Sequence, residues 1–317
     1  MENKILDKIK DYSRIIIHTH KRPDGDCYGS AFGLKSIIKN SFPDKEVYVM
    51  GEYIDYVSFV GEVDNIEDEL YKDALSIVVD TASQSRVADQ RFIDSDYVIK
   101  IDHHIPVDDY GDINFVLTDR PACSQIILEF YLKFKDNLKI CDLGIRALLT
   151  GIITDTGRFK YRSVTPDTFK VTGSLLELGI TLDEVYKHLD VKSEEYLRLK
   201  GYVLMNYEKT INGVAFVKLT QSIINDYNIS MEEATSLVNE LGVLKECPVW
   251  ILFAEYPDNS IRGRIRSKGP SIDLLANEYH GGGHSRACGV TLTDWEEANN
   301  LLGDTDKLVL NYKKSQK

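Results

Sequence analysis

The sequence of 317 residues has few cations, few cysteines and no long apolar run. Its 38 Lys and Arg are outnumbered by 50 Asp and Glu, which argues against a protein that coats long nucleic acid with a broad basic surface. No stretch approaches the roughly 18 apolar residues of a membrane span, and we expect neither a signal peptide nor a membrane partner. The five cysteines form no C-x-x-C pair, so we expect reduced thiols in a cytoplasmic protein.

Short apolar runs alternate with helix-like stretches through the first half of the chain. This alternation predicts an α/β fold with a doubly wound, mostly parallel sheet. At roughly 150 residues per domain, the length suggests two domains. We expect a first domain at 1–190, a helical linker at 191–211 and a smaller α/β domain at 212–317. The predicted strands are Arg14–His18, Glu46–Gly51, Leu75–Asp80 and Tyr97–Asp102, and Ser85–Ile93 is one of the predicted helices.

Histidine and aspartate concentrate where the predicted strands end. In a doubly wound fold the carboxyl ends of the strands form the ligand site. Each segment alone has an ordinary structural explanation: an Asp-Gly-Asp turn, a helix cap at Asp80, or the last turn of a helix at Asp155. Together they indicate one shared site. Its candidate residues are His20, Asp24, Asp26, Asp80, Asp102, His103, His104 and Asp155.

The chemistry of this set favours hard divalent cations. Carboxylate oxygens with some imidazole suit Mn²⁺ or Mg²⁺ better than a structural zinc site. The carboxylates are numerous enough for two ions, and a pair of divalent ions is a common device for phosphoester hydrolysis.

A second polar group lies near the C-terminus. Arg262, Arg264, Arg266 and Lys268 alternate along a predicted strand, so they would share one face. A solvated edge strand would show the same pattern. A face that binds phosphate is the functional alternative, because the Arg side chain can form two parallel hydrogen bonds with a phosphate. The glycine run at 281–283 beside His284 could add backbone N–H donors for an anion.

These motifs resemble the DHH phosphoesterase superfamily. The His20-x-x-x-Asp24-x-Asp26 pattern, Asp80, the Asp102-His103-His104 triplet and Asp155 look like its four motifs, and Gly281-Gly-Gly-His284 with Arg266-Ser267 looks like the associated substrate-binding domain. The resemblance implies that His20 and Asp24 bind one metal ion, that Asp26, His103 and Asp155 bind another, and that Asp80 bridges them. It also implies that His104 assists the leaving group with Asp102 behind it. The implied substrate-binding residues are Arg264, Arg266, Ser267, Gly282, Gly283 and His284.

Within the superfamily, the length and two-part plan are similar to the bifunctional nano-RNases. The resemblance therefore implies a Mn²⁺-dependent enzyme with two metal ions, replaceable by Mg²⁺ or Co²⁺, that activates water to cleave short RNA oligonucleotides and dinucleotides such as pApA. It also implies removal of the 3'-phosphate of 3'-phosphoadenosine 5'-phosphate, and a homodimer. An inorganic pyrophosphatase and a non-catalytic nucleotide sensor are the alternatives.

Overall fold

The computed structural model describes residues 1–316, and these form two compact units, Met1–Val191 and a second that begins at Lys192. The first unit is built on a five-stranded sheet with the order β2-β1-β3-β4-β5, in which every neighbouring pair is parallel. The predicted α/β fold is confirmed. The strands are β1 Arg14–His18, β2 Glu46–Met50, β3 Leu75–Val79, β4 Tyr97–Asp102 and β5 Ile113–Val116.

Six α-helices pack in the first unit. The side chain of Asp24 caps the start of α2, and Thr165 caps α5 with Pro166 as its first helical residue. Helices α2 and α4 approach closely because Gly29 and Gly151 lie where they meet, and a Cβ atom at Gly29 would stand 2.8 Å from the Gly151 backbone. The helices are α1 Glu2–Asp11, α2 Gly25–Ser41, α3 Cys123–Lys133, α4 Asp142–Asp155, α5 Pro166–Glu177 and α6 Leu182–Leu189.

The predicted helix at Ser85–Ile93 is wrong. This segment instead contains parts of two short 3-10 turns, Gln84–Arg86 and Gln90–Asp94. Polar side chains bond to the local backbone and interrupt any helix: the Gln90 amide donates to the carbonyls of Gln84 and Val87. Val87 itself forms an isolated β-bridge with His20, so this segment closes over the end of β1.

The second unit has a mixed sheet of six strands in the order β10-β11-β9-β8-β7-β6. Strands β8 and β9 form an antiparallel hairpin. The strands are β6 Glu208–Lys209, β7 Val214–Leu219, β8 Val249–Glu255, β9 Ile261–Ser267, β10 Gly282–His284 and β11 Ala287–Leu292. The helices are α7 Glu194–Asn206, α8 Gln221–Asp226, α9 Met231–Ser236, α10 Asp273–Glu278 and α11 Trp295–Ser315.

Helix α7 falls within the segment predicted as a linker. Its buried residues Leu199 and Val203 pack in one apolar cluster with Ala215 and Leu252 of the second unit. The predicted limits of the domains and the linker stay a prediction. Within residues 1–316, no helix combines the length and the apolar character needed to cross a bilayer.

Candidate active site

The site of the first unit lies at the carboxyl edge of its sheet, where three adjacent parallel strands end. His20 follows β1 by two residues, Asp80 follows β3 directly, and Asp102 is the last residue of β4, with His103 immediately after it. Because β1, β3 and β4 are neighbours, these side chains meet at one edge.

Helix ends supply the remaining carboxylates. Asp24 caps α2 by accepting the N–H groups of Asp26 and Cys27. The Asp26 carboxylate in turn accepts backbone N–H groups at the N-terminus of α3, including that of Ser124 at 2.9 Å, where the helix dipole favours negative charge. Asp155 is the last residue of α4.

Asp80 lies at the centre of the cluster, and its two oxygens face different imidazoles. Its Oδ2 is 3.6 Å from His20 Nε2, which is also 3.8 Å from Asp24 Oδ2. Its Oδ1 is 3.2 Å from His103 Nε2, which lies 3.4 Å from Asp155 Oδ2 and 3.9 Å from Asp26 Oδ2. The six residues therefore form two groups that share Asp80.

The outer nitrogens of both imidazoles are held by backbone carbonyls. His20 Nδ1 is 3.0 Å from the carbonyl oxygen of Lys21, and His103 Nδ1 is 3.1 Å from that of Arg120. A proton on Nδ1 satisfies each contact, so Nε2 is the nitrogen that faces the carboxylates and that could bind a cation once it is deprotonated.

The charges of this cluster strongly perturb one another. Burial and the negative charges of Asp80 and Asp155 raise the pKa of Asp26 well above its usual value. Burial, with Asp80 and Asp24, raises the pKa of Asp155 to about 6, despite His103. Burial alone would raise the pKa of Asp80, but the imidazoles of His103 and His20 outweigh it and lower this pKa to about 2. Opposed shifts among packed carboxylates are typical of a functional site.

The residues present fit divalent cations. Asp80 Oδ1 is buried and accepts no hydrogen bond from any residue that the structure describes, which leaves a lone pair for a cation. Three groups of side chains have ligand atoms within 4.8 Å of one another: His20 with Cys27 and Asp80; Asp80 with His103 and His104; and Asp26 with His103 and Asp155.

The backbone at Asp80 is strained in a way that serves the site. Its φ of +54° lies in the left-handed region, which costs a non-glycine residue about 1–2 kcal/mol, although Asp tolerates it better than most residues. The Asp80 N–H donates to the Ile101 carbonyl of the neighbouring strand at 2.9 Å. This contact holds the turn directly after β3.

Asp102 and His104 form a contact beside the cluster. His104 Nδ1 is 2.8 Å from Asp102 Oδ1, and this carboxylate raises the pKa of His104. Asp102 is fully buried, whereas the His104 side chain is 44% exposed. One nitrogen of His104 therefore contacts a buried carboxylate, while the rest of the ring is partly exposed to solvent.

The sequence alone assigns neither Tyr56 nor Cys27 to the site. Tyr56 is 42% exposed, yet partial desolvation and then the negative charges of Asp24 and Asp155 raise its pKa. The Cys27 thiol accepts the His20 N–H at 3.3 Å. Cys27 was detectable as a neighbour of Asp26 in sequence, whereas nothing in the local pattern around Tyr56 points to the site. His18 is buried away from the cluster, with its Nε2 3.0 Å from Ser76 Oγ.

The second unit brings part of its predicted set together. Arg264 lies opposite Gly289, which lies opposite Gly282; Arg266 lies opposite Ala287, which lies opposite His284. Directly opposed residues share a face, so Arg264, Arg266, Gly282 and His284 lie on the same face of this sheet.

Two predicted details of this face differ in the structure. Ser267 is buried with the opposite face of β9, and its hydroxyl bonds to the Pro270 carbonyl. The Gly281 N–H donates to the Ala276 carbonyl at 2.9 Å, so it is not available to an anion. The period of two along β9 explains the first difference, since Ser267 follows Arg266 directly.

A parallel sheet that gathers carboxylates and imidazoles at its carboxyl edge is a site suited to metal-dependent hydrolysis. The model of the DHH family, N-terminal domain, matches residues 14–152, and that of the DHHA1 domain matches residues 213–310. The chain belongs to the DHH family of phosphoesterases, and it is an enzyme that hydrolyses phosphoester bonds. The predicted family and enzyme class are confirmed.

Similar proteins cover nearly the whole chain. The bifunctional oligoribonuclease and PAP phosphatase NrnA of Bacillus subtilis is 36% identical over 97% of this chain and 98% of that protein. The probable enzyme of the same description from Streptococcus mutans is 37% identical, over 96% and 98%. The crystal structure of an exopolyphosphatase-related protein from Bacteroides fragilis is similar with a TM-score of 0.86 at 25% identity, over 97% of each chain.

Proposed function

We propose that this phosphoesterase degrades short oligoribonucleotides and dinucleotides such as pApA, and that it removes the 3'-phosphate of 3'-phosphoadenosine 5'-phosphate. The observation that carries the chemistry is the position of Asp80, one carboxylate between two imidazole-carboxylate groups. The substrate class is supported by relatives named oligoribonuclease and PAP phosphatase, which match along nearly their whole length.

The proposed cofactor is a pair of Mn²⁺ ions, with Mg²⁺ or Co²⁺ as substitutes. His20 and Asp24 would hold one ion, Asp26, His103 and Asp155 the other, and Asp80 both. Bound divalent ions supply an acidic water and offset charge on the phosphoryl oxygens. The oxygen-rich donor set supports hard cations over a structural zinc site.

Other residues of the chain orient these ligands, and one donates a proton to the leaving group. The Lys21 and Arg120 carbonyls hold His20 and His103 in place through their Nδ1 atoms. Asp102 holds His104 Nδ1, so the proton on His104 Nε2 is the one available to a leaving oxygen. As the phosphorus–oxygen bond breaks, its electron pair stays on the ribose oxygen, which takes that proton.

Six residues of the second unit are predicted to bind substrate, and we propose that five of them do so: Arg264, Arg266, Gly282, Gly283 and His284. The shared face of Arg264, Arg266 and His284 supports contacts with a phosphate or a base. Because Ser267 is buried, its proposed role is to hold the end of β9 rather than to touch substrate. We further propose a cytoplasmic homodimer that acts on short nucleotides and not on long nucleic acid.

The test is hydrolysis by the purified, EDTA-treated chain after Mn²⁺ is restored. Its substrates are pApA, 3'-phosphoadenosine 5'-phosphate, a trinucleotide, a long single-stranded RNA and pyrophosphate. We expect turnover of the three short nucleotides and little turnover of the long RNA. Cleavage of pyrophosphate alone would replace the proposal with a pyrophosphatase, and binding of nucleotides without turnover would favour a sensor.

A further inference from the structure

Lys100 is a fully buried cation in the middle of β4, and the reaction described above gives it no role. Buried ammonium groups are rare and need partners. The Lys100 Nζ donates to the carbonyls of Ala82 at 2.8 Å and Asp108 at 3.0 Å. It also lies 3.6 Å from Asp102 Oδ2 and 5.0 Å from the centre of the Tyr110 ring.

Asp102 connects this lysine to His104. Asp102 Oδ1 accepts the N–H groups of His103 at 2.9 Å and His104 at 3.2 Å, and lies 2.8 Å from His104 Nδ1. Asp102 Oδ2 is buried and accepts no hydrogen bond from the described residues, so the Lys100 ammonium is the charge that offsets it. The three side chains form a line from the core of the sheet to the exposed ring of His104.

The lysine also fixes the two loops that border the site. Ala82 stands two residues after Asp80, and Asp108 stands four residues after His104. Since one ammonium bonds to both carbonyls, it ties the loop after β3 to the loop after β4. Tyr110 adds a parallel contact, since its hydroxyl donates to the Thr81 carbonyl at 2.8 Å.

We propose that Lys100 is a positioning residue for the leaving-group step, acting on His104 through Asp102. This inference rests on the proposed function, in which His104 Nε2 gives its proton to the departing ribose oxygen. Lys100 holds Asp102 in one place as a charged acceptor, and Asp102 holds the His104 ring. The lysine touches neither substrate nor the reacting atoms.

The role of Lys100 has a specific kinetic consequence. A ribose oxygen is a poor leaving group and needs the proton as the phosphorus–oxygen bond breaks, whereas p-nitrophenolate leaves without one. Loss of a positioning residue for His104 should therefore slow cleavage of pApA and spare a p-nitrophenyl ester. A general loosening of the fold would slow both.

The experiment compares Lys100→Gln with the wild type on pApA and on the p-nitrophenyl ester of adenosine 5'-monophosphate, with Mn²⁺. Glutamine keeps N–H donors for the two carbonyls and removes the charge. We expect kcat on pApA to fall about 10- to 100-fold with KM changed less than about threefold, and kcat on the ester to fall less than about threefold. The matched control is Lys35→Gln, which removes a cation of α2 that pairs with Asp64 and should leave both rates unchanged.

A second comparison uses Asp102→Asn as the background. If Lys100 acts through Asp102, then adding Lys100→Gln to Asp102→Asn lowers kcat on pApA no further. The double variant lacks both charges and so leaves no buried charge unpaired. The comparison can therefore still be made if Lys100→Gln alone fails to fold. Equal losses on both substrates, a wild-type rate on pApA, or a further loss in the Asp102→Asn background would each overturn the inference. A wild type that cleaves neither substrate would instead contradict the proposed function.

Discussion

The two units of this enzyme place their charges in opposite settings. At the sheet edge of the first unit, Asp26 and Asp80 are almost fully buried among other ionisable groups. On β9 of the second unit, Arg262 is exposed, and Arg264 and Arg266 are partly buried. Burying charge is costly unless cations or hydrogen bonds compensate, so the first arrangement is suited to holding metal ions and the second to binding an anionic ligand.

The largest expected effect comes from the shared carboxylate. Asp80→Asn keeps the shape of the side chain and removes the charge that faces both His20 and His103. We predict that kcat on pApA falls by about a thousandfold or more, because both proposed metal positions would lose a ligand. Steady-state kinetics with saturating Mn²⁺ measure this, with circular dichroism to confirm that the variant is folded. A folded variant with a rate near the wild type would remove Asp80 from the centre of the site.

The cationic face should affect binding more than chemistry. We predict that Arg266→Ala raises KM for pApA about 10- to 100-fold and changes kcat much less, because a charge-assisted contact with phosphate is lost. Arg198→Ala is the matched control, since Arg198 is an exposed arginine of the same unit that pairs with Glu194. Equal KM values for the two variants would exclude Arg266 from the substrate site, and a loss confined to kcat would place it with the chemistry.

Helix packing beneath the cluster of carboxylates and imidazoles gives a third contrast between the units. A Cβ atom at Gly29 would lie 2.6 Å from the Ala147 carbonyl oxygen, so Gly29→Ala should push α2 from α4 and lower the free energy of unfolding by about 1–3 kcal/mol. Gly201 in α7 has open space around it, so Gly201→Ala should raise the free energy of unfolding by about 0.5–1 kcal/mol. Urea unfolding in EDTA measures both, and the same sign for both changes would contradict this packing.

The smallest predicted effect concerns pH. In the metal-free protein the pKa of Asp155 is about 6, above its usual 3.8, so the folded state holds this proton more tightly than the unfolded state does. Its contribution to stability is complete below about pH 4 and is lost as the pH rises through about 6. When the pH rises from about 5 to about 7.5 in EDTA, the free energy of unfolding should therefore fall by about 1 kcal/mol more in the wild type than in Asp155→Asn. A larger fall in the free energy of unfolding of the variant would contradict the repulsion of Asp155 by the neighbouring carboxylates.

The site was largely predictable because its residues follow the ends of parallel strands. His20, Asp80 and His103 each stand next to a short apolar run, and parallel strands bring their carboxyl ends to one edge. That rule needs no knowledge of side-chain conformation. Asp26 and Asp155 stand at a helix start and a helix end, where the sequence also carries clear signals. Their convergence is seen in the structure, and their roles as metal ligands stay a prediction.

Other features depend on contacts that no local pattern announces. Lys100 looks like an ordinary alternating residue in an apolar strand, and only the fold places its ammonium between two loop carbonyls and Asp102. The Ser85–Ile93 segment has a composition suited to a helix, yet side-chain bonds to its own backbone and the bridge of Val87 with His20 decide its shape. Ser267 was grouped with Arg266 by sequence, and the pleat of β9 separates them.

Counting bound manganese gives the most direct check on the idea that one carboxylate joins two cation positions. Wild-type protein saturated with Mn²⁺ and freed of excess metal can be assayed for metal content and examined by electron paramagnetic resonance. We predict two ions per chain with a magnetically coupled spectrum in the wild type, and loss of that coupling in Asp80→Asn. A single ion per chain in the wild type, or two ions with independent spectra, would contradict the account.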